Sequence, residues 1–244
     1  MLRGLENGVP QRTSSIETFF IRNSANSPFY PTKGTKLSLD VELAGGPWGG
    51  SVNFHKERLE GRMYFPSLFH GITTMLRTRV GLLGQYADQH FPVPQYERFR
   101  LGGATTPDPL RGYDDYMVVP TEFITHTTTV VIDSVTTPGK RDTLTRSTLV
   151  RYPGGRFFTT YTVEQQFPIV HPLHGVIFFD AGNTWDVLKK VRPFDLRMGA
   201  GVGIRFEIPL LGNIGFDYGY GFNRPAVGDS PRWVAHFLIG QATF

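Results

Sequence analysis

Hydrophobic and polar residues alternate along much of this chain. In the segment 196–208 every second residue is hydrophobic, and the residues between them are arginine, glycine or glutamate. The segment 36–43 alternates in the same way, and 214–222 places isoleucine and aromatic residues on one face. A period of two residues is typical of a β-strand with one apolar face. The pattern therefore predicts an all-β protein.

Nine such segments follow one another, which predicts nine antiparallel strands. They are 15–24, 36–43, 51–65, 72–83, 156–167, 175–185, 196–208, 214–222 and 232–244. The alternation slips around Lys56 to Arg58, which indicates either a β-bulge or a strand that emerges above a membrane. A Pro-rich turn is expected at 168–174. Between the fourth and fifth strands, a Thr- and Val-rich stretch predicts an inserted hairpin of roughly 121–134 and 141–151.

The polar faces of these strands distinguish a membrane β-barrel from a soluble β-sandwich as the fold of this chain. Arg77 and Arg79 lie opposite Leu76 and Val80 on one strand. Arginines on the inner face of a soluble β-sandwich are costly to bury, whereas a water-filled lumen accepts them. Strands of about 9 to 11 residues suffice to cross a bilayer. The pattern favours a transmembrane β-barrel, with a soluble β-sandwich binding module as the alternative.

The amino-acid composition excludes several other kinds of site and function. The chain has 28 Gly, 18 Pro and no cysteine, which fits many turns and excludes disulfides and thiolate metal sites. The net charge of +4 is spread without a Lys/Arg block, so nucleic-acid binding has little support. The first 14 residues have no apolar core of a signal peptide. For an outer-membrane protein, either the targeting sequence is missing or the chain is part of a longer gene product, and we expect the latter.

One shaped loop, residues 96–119, carries an arginine at its tip. Arg111 stands between Leu110 and the Gly112–Tyr113 pair, and a second glycine pair, Gly102 and Gly103, lies upstream. Glycines allow a backbone to fold back on itself at positive φ. An arginine there can make bidentate hydrogen bonds to carboxylates.

Several motifs resemble those of the BamA family of outer-membrane assembly factors, over residues 15 to 244. They are the Phe-x-Leu-Gly-Gly element Phe99 to Gly103, the tip Leu110 to Tyr113, the turn Pro31 to Gly34 and the Phe-Phe-Asp-Ala-Gly-Asn-x-Trp run ending at Trp185. The last strand ends in Phe244, as the last strand of many bacterial outer-membrane barrels ends in an aromatic residue.

The resemblance implies the fold and the domain boundaries. It implies an antiparallel transmembrane β-barrel, here the nine carboxy-terminal strands of sixteen, with an extracellular loop folded into the lumen. Residues 1–14 would precede this partial barrel of 15–244. The lumen loop would span about 85–155 and include the inserted hairpin, about 121–151.

The resemblance also implies the site. Arg111 would reach into the lumen and pair with Glu164 and Asp180 on the inner wall. Leu110, Gly112 and Tyr113 would form the rest of this loop-lumen contact. Two further sets are predicted: Gly102 and Gly103 as the loop hinge, and Gly240 and Phe244 in the terminal strand that forms one side of a lateral seam.

The implied function is folding and inserting β-barrel proteins into the bacterial outer membrane, with nascent barrel proteins, the lipid bilayer and accessory lipoproteins as partners. No catalysis, cofactor or metal site is expected. Two carboxylates and an arginine could suit glycoside hydrolysis, but no sugar-cleft motif accompanies them. The Gly-x-Gly-x-Gly series at 199–203 lies inside a strand pattern, which disfavours a nucleotide loop. A related secretion pore and a passive porin-like barrel remain alternatives.

Overall fold

The computed structural model describes residues 5–6, 9–10, 12–69, 71–86, 92–130, 142–208, 212–223 and 230–239. The strands are β1 (Leu5–Glu6), β2 (Val9–Pro10), β3 (Ser15–Asn23), β4 (Gly34–Ala44), β5 (Phe54–Pro66), β6 (Thr73–Gln85), β7 (Thr121–Val130), β8 (Asp142–Arg151), β9 (Phe157–Val170), β10 (Leu173–Trp185), β11 (Arg197–Ile208), β12 (Gly212–Gly221) and β13 (Arg232–Ile239). Short 3-10 helices occupy Gly46–Trp48, Gln95–Glu97 and Leu188–Lys190. In these ranges no helix has the length and apolar character needed to cross a membrane.

Nine strands form one antiparallel sheet in the order β13-β12-β11-β10-β9-β6-β5-β4-β3. Neighbours in the sheet are neighbours in sequence, except that β9 pairs with β6. Between them, β7 and β8 form a separate hairpin and, within the described ranges, pair only with each other. The sheet confirms the prediction of an all-β fold with nine barrel strands. At its two edges, β3 and β13 each have one neighbour among the described residues.

The distribution of polar and apolar residues between the two faces of the sheet is the reverse of that in a soluble protein. On β10, Asp180 and Thr184 are each 1% exposed on the inner face, whereas Ile177 on the outer face is 53% exposed. On β11, the outward Val202 and Ile204 are 55% and 48% exposed. An apolar outer face around a polar interior is what a strand between lipid and a barrel lumen requires.

A hydrophobic cluster joins the inner face to the loop that crosses it. Phe99 of the loop packs edge-on against Phe158 of β9, with ring centres 4.7 Å apart. The wall contributes Phe54, Leu83 and Phe158 to the cluster, and the loop contributes Val93, Phe99, Leu101, Leu110, Tyr113 and Val118. The loop is therefore packed against the wall as a core element and does not extend into solvent.

The bulge considered around Lys56 to Arg58 is wrong. The pairing of β5 with β4 and with β6 runs without a register shift. Lys56 faces inward and donates to Glu97 at 2.8 Å, and the Arg58 guanidinium lies 5.2 Å from the centre of the Phe99 ring. Hydrophobic alternation disappears here because the outward positions His55 and Glu57 are also polar and bind each other at 2.7 Å, while the backbone remains regular.

The Pro-rich turn predicted at 168–174 is also wrong in its extent. β9 continues to Val170 and β10 begins at Leu173, so the turn is His171 and Pro172. Pro168 lies within β9 opposite His174, beside a register shift. Since proline has no N–H to donate, it is tolerated where the ladder is already irregular.

Connections of different length separate the two ends of the sheet. The end of the strands that holds the Arg111 loop also carries the connections 45–53, 186–196 and 222–231. The opposite end carries 24–33, 67–72, 171–172 and 209–211. Long loops on one side and mostly shorter turns on the other are typical of outer-membrane barrels.

Candidate functional site: an arginine held by the inner wall

The loop from Phe99 to Val118 is fixed by its own hydrogen bonds. Leu101 and Val118 exchange two backbone hydrogen bonds of 3.0 Å each. Gly103 donates to the Tyr113 carbonyl at 2.9 Å and accepts from the Leu110 amide at 3.1 Å. Gly102 and Gly103 have φ of 122° and 76°, which favour glycine. The predicted hinge glycines therefore directly precede the reversal of the chain between Gly103 and Leu110, and their role as a hinge stays a prediction.

Arg111 reaches the wall and contacts both predicted carboxylates. Its Nε and Nη2 donate to the two Asp180 oxygens at 2.8 and 2.9 Å, a bidentate pair, and its backbone N–H donates to Asp180 at 3.1 Å. Its Nη1 donates to Glu164 Oε2 at 2.6 Å. The guanidinium carbon lies 3.6 Å from the centre of the Phe178 ring. Charge-assisted bidentate bonds combine strength with fixed geometry.

A third carboxylate, which sequence reasoning missed, completes the arrangement. Asp217 on β12 is fully buried and lies 3.3 Å from Arg111 Nη1. Arg205 on β11 binds the same carboxylate, with its Nη2 at 2.9 Å from Oδ2. We refer to Arg111, Glu164, Asp180 and Asp217 as the arginine lock. Its three carboxylates come from β9, β10 and β12, so one loop residue spans four adjacent strands of the wall.

Glycines on β11 and β12 allow the loop tip to approach the wall. A Cβ added at Gly199 would lie 2.1 Å from the Arg111 carbonyl oxygen, and one at Gly221 would lie 2.4 Å from the Gly112 carbonyl oxygen. A Cβ at Gly219 would lie 2.8 Å from the Gly112 nitrogen. The absence of side chains here creates the space that the tip occupies.

The residues flanking Arg111 attach the tip to the last two strands. Gly112, with φ of 90°, donates its N–H to His236 Nε2 on β13 at 3.1 Å. The Tyr113 hydroxyl donates to the Met198 carbonyl at 3.0 Å and contacts Asn223 Oδ1 at 2.9 Å. Leu110 is fully buried. His236 and Asn223 were not predicted, and a lone histidine in a strand gives no signal that would have identified it.

The lateral-seam residues predicted in the terminal strand, Gly240 and Phe244, lie outside the described residues. The described part of that strand, β13, is nevertheless in contact with the loop. Besides the His236 hydrogen bond, Arg232 forms an ion pair with Asp114, three residues after Arg111. The tip therefore contacts the strand at the edge of the sheet.

The turn at the opposite end packs beneath the arginine lock. Tyr30 stacks on His174, with ring centres 3.9 Å apart. A cavity of about 100 Å³ separates this turn from Arg111, and Arg77 and Gln166 contribute to its lining. The inner face is thus approached from both ends, by the long loop and by this turn.

Comparison with known proteins places the chain in a family. The family described as the Omp85 superfamily domain matches residues 5–243. The outer membrane protein assembly factor BamA of Nitratidesulfovibrio vulgaris is 28% identical over 228 residues, which cover 91% of this chain and 24% of that protein. This chain thus spans about a quarter of the length of that relative.

A solved structure shares the fold. The crystal structure of BamA from Haemophilus ducreyi lacking POTRA domains 1–3 matches with a TM-score of 0.64 and 16% identity. The match covers 92% of this chain and 42% of that one. Together with the inverted sheet faces, these matches show that the chain is an outer-membrane β-barrel segment that belongs to the Omp85 superfamily.

Proposed function

We propose that this chain is the carboxy-terminal part of the barrel of an outer-membrane assembly factor, which folds and inserts other β-barrel proteins into the outer membrane. The observation that carries the proposal is the arginine lock, in which one loop residue binds three buried carboxylates. The sequence relationship to a BamA protein supports the same function. Nascent barrel proteins and the bilayer would be its partners, with accessory lipoproteins as a further expectation.

The lock gives the loop a structural role. Arg111 is 5% exposed and its three partners are between 0% and 7% exposed, so water competes little for these hydrogen bonds. Hydrogen bonds to charged groups contribute about 1.5 to 3 kcal/mol each. The charges are used to fix the loop across β9 to β12, with no substrate or leaving group required.

Attachment of the loop to β13 links the lock to the edge of the sheet. An edge strand exposes unpaired backbone N–H and C=O groups, which lipid does not satisfy. A strand of an incoming protein can satisfy them by pairing. In our proposal the lock keeps the wall beside β13 in one conformation while that pairing occurs.

Reconstitution of the native protein into vesicles tests this function. An unfolded outer-membrane barrel protein is added, and the protease-resistant folded fraction is measured over time. We expect faster folding than in protein-free vesicles, and a lower rate with Arg111→Ala. Equal rates with and without the native protein would refute the proposal. Release of a soluble partner across the membrane instead would favour the secretion pore, and solute leakage alone would favour a passive pore.

A further inference from the structure

The connection 186–196 between β10 and β11, which we call the rim loop, combines exposed apolar side chains with cations. Phe194 is 96% exposed and Leu188 is 56% exposed. Lys189, Lys190 and Arg192 are exposed in the same loop. Such a combination is unfavourable in water and typical of segments that lie in a membrane interface.

A hydrogen bond places the rim loop on the lipid side of the barrel. Asn183 belongs to the outer face of β10, as do Phe179 and Ile177, by alternation along the strand. Those two are 42% and 53% exposed, whereas Asn183 is 5% exposed. Its Nδ2 donates to the Asp195 carbonyl at 2.6 Å, so the rim loop folds over the outer surface. Phe194, the neighbour of Asp195, is 96% exposed in this segment.

The charges of the rim loop leave two cations for an external partner. Asp186 binds Arg98 at 2.9 Å, Asp195 lies 3.6 Å from Arg197, and Lys190 binds Glu122 of the hairpin. Among the residues whose side chains are described, no carboxylate lies within ion-pair distance of Lys189 or Arg192. The acidic groups of the loop are thus already occupied by other cations.

Space for a headgroup adjoins these cations. Lys189 and Arg192 line a cleft of about 870 Å³ between the rim loop and the base of the β7–β8 hairpin, with Tyr152 on the facing side. Anionic headgroups attract Lys and Arg near a membrane surface. Aromatic residues such as Phe194 add apolar contact at the level where the headgroups meet the acyl chains.

We propose that the rim loop is a lipid-binding site, in which Lys189 and Arg192 bind phosphate-bearing lipid headgroups and Phe194 and Leu188 contact the adjoining acyl chains. The leaflet is the one on the side of the Arg111 loop. This inference goes beyond the assembly function and rests only on the membrane location of the chain. Its failure would leave the proposed function untouched.

The absence of cysteine from the chain allows a direct test. The native protein is reconstituted with a single cysteine in place of Phe194, labelled with an environment-sensitive dye. A second sample carries the label in place of Tyr96, which is 50% exposed at the same end of the barrel. Quenching by neutral acrylamide is compared in vesicles of phosphatidylcholine alone and of phosphatidylcholine with phosphatidylglycerol.

We expect label 194 to be quenched about threefold less than label 96 in the anionic vesicles, because interfacial burial excludes the quencher. The difference should be smaller in phosphatidylcholine alone. Lys189→Gln with Arg192→Gln should abolish the effect of the anionic lipid, and exposed substitutions of this kind leave the fold intact. Equal quenching of the two labels, or an undiminished lipid effect in the double variant, would overturn the proposal.

Inorganic phosphate separates a lipid site from a site for soluble anions. At constant ionic strength, millimolar phosphate should leave the quenching of label 194 unchanged in phosphatidylcholine vesicles. Protection by phosphate alone, without anionic lipid, would assign the cations to a soluble anion and contradict the lipid proposal.

Discussion

The β6–β9 connection contains two regions that are held in different ways. The Arg111 loop is attached to the inner wall by buried charges, a hydrophobic cluster and close backbone contact. The β7–β8 hairpin is attached near its base by surface contacts, in which Glu122 accepts from Lys190 and from the Tyr152 hydroxyl. Those two donors, Lys190 first, lower the pKa of the Glu122 carboxyl. One connection therefore contains a segment integrated with the wall and a segment attached to its rim.

This difference predicts which substitutions destabilise the protein. A buried ion pair that loses one partner leaves an uncompensated charge, whereas an exposed pair contributes little. Substitutions in the arginine lock should therefore affect the stability of the whole wall, whereas substitutions in the hairpin should affect only the hairpin.

The largest effect is expected for Arg111→Ala. Glu164, Asp180 and Asp217 would lose their shared cation while remaining buried, at a cost of about 3 to 5 kcal/mol. The loop should be released while the nine strands remain paired. Limited proteolysis in detergent should show rapid cleavage between residues 99 and 118. Arg111→Lys is the matched control, since it keeps the charge and loses the bidentate geometry; protease resistance equal to wild type in the alanine variant would argue against the lock.

A smaller effect is expected for Gly221→Ala. The new Cβ would lie 2.4 Å from the Gly112 carbonyl oxygen, and such overpacking costs about 1 to 3 kcal/mol. Gly61→Ala on β5 is the control, because a Cβ there meets no atom within 4 Å. Urea unfolding of both variants measures the difference. If both variants were equally destabilised, contact between the loop tip and the wall would not be the reason for glycine at position 221.

His236→Ala should have a still smaller effect. It removes the acceptor of the Gly112 N–H, a change that typically costs about 1 kcal/mol. Faster amide exchange is expected at Gly112 and along β13, with little change on β4. His55→Ala, on the outer face of β5, is the control. If only the amide of residue 236 exchanged faster, the loop tip and β13 would not be coupled.

Replacement of the hairpin residues 123–149 by a short Gly-Ser turn should have the smallest effect on the wall. The removed residues make no contact with the arginine lock among the contacts described. The unfolding midpoint of the barrel and the protease resistance of residues 99–118 should match wild type. Loss of either property would show that the hairpin supports the lock.

The wall was largely predictable because alternation directly reports which face a residue occupies. Asp217 illustrates the limit. Its position opposite the aromatic residues of β12 identifies its inward direction, but its partner Arg111 is 106 residues away. Nothing local in the sequence fixes how far a loop tip reaches. The same holds for His236, whose contact with Gly112 exists only because glycines let two backbones approach.

The errors have a related origin. Around Lys56 to Arg58 the alternation fails although the strand is regular, because the outward residues His55 and Glu57 are polar and bind each other. At Pro168 a residue that normally ends a strand is accommodated beside a register shift. In both places pairing with the neighbouring strands, and not the local sequence pattern, determines the backbone.

Hydrogen–deuterium exchange tests the central claim, that Arg111 fixes the loop to the wall, most directly. Native protein and Arg111→Ala are compared in the same membrane mimetic. We predict that the amides of residues 99–118 exchange at least about tenfold faster in the variant, as expected when a buried charge network opens. The amides of β5, β6 and the β7–β8 hairpin should exchange equally in both proteins. Unchanged exchange of residues 99–118 in the variant would contradict the account.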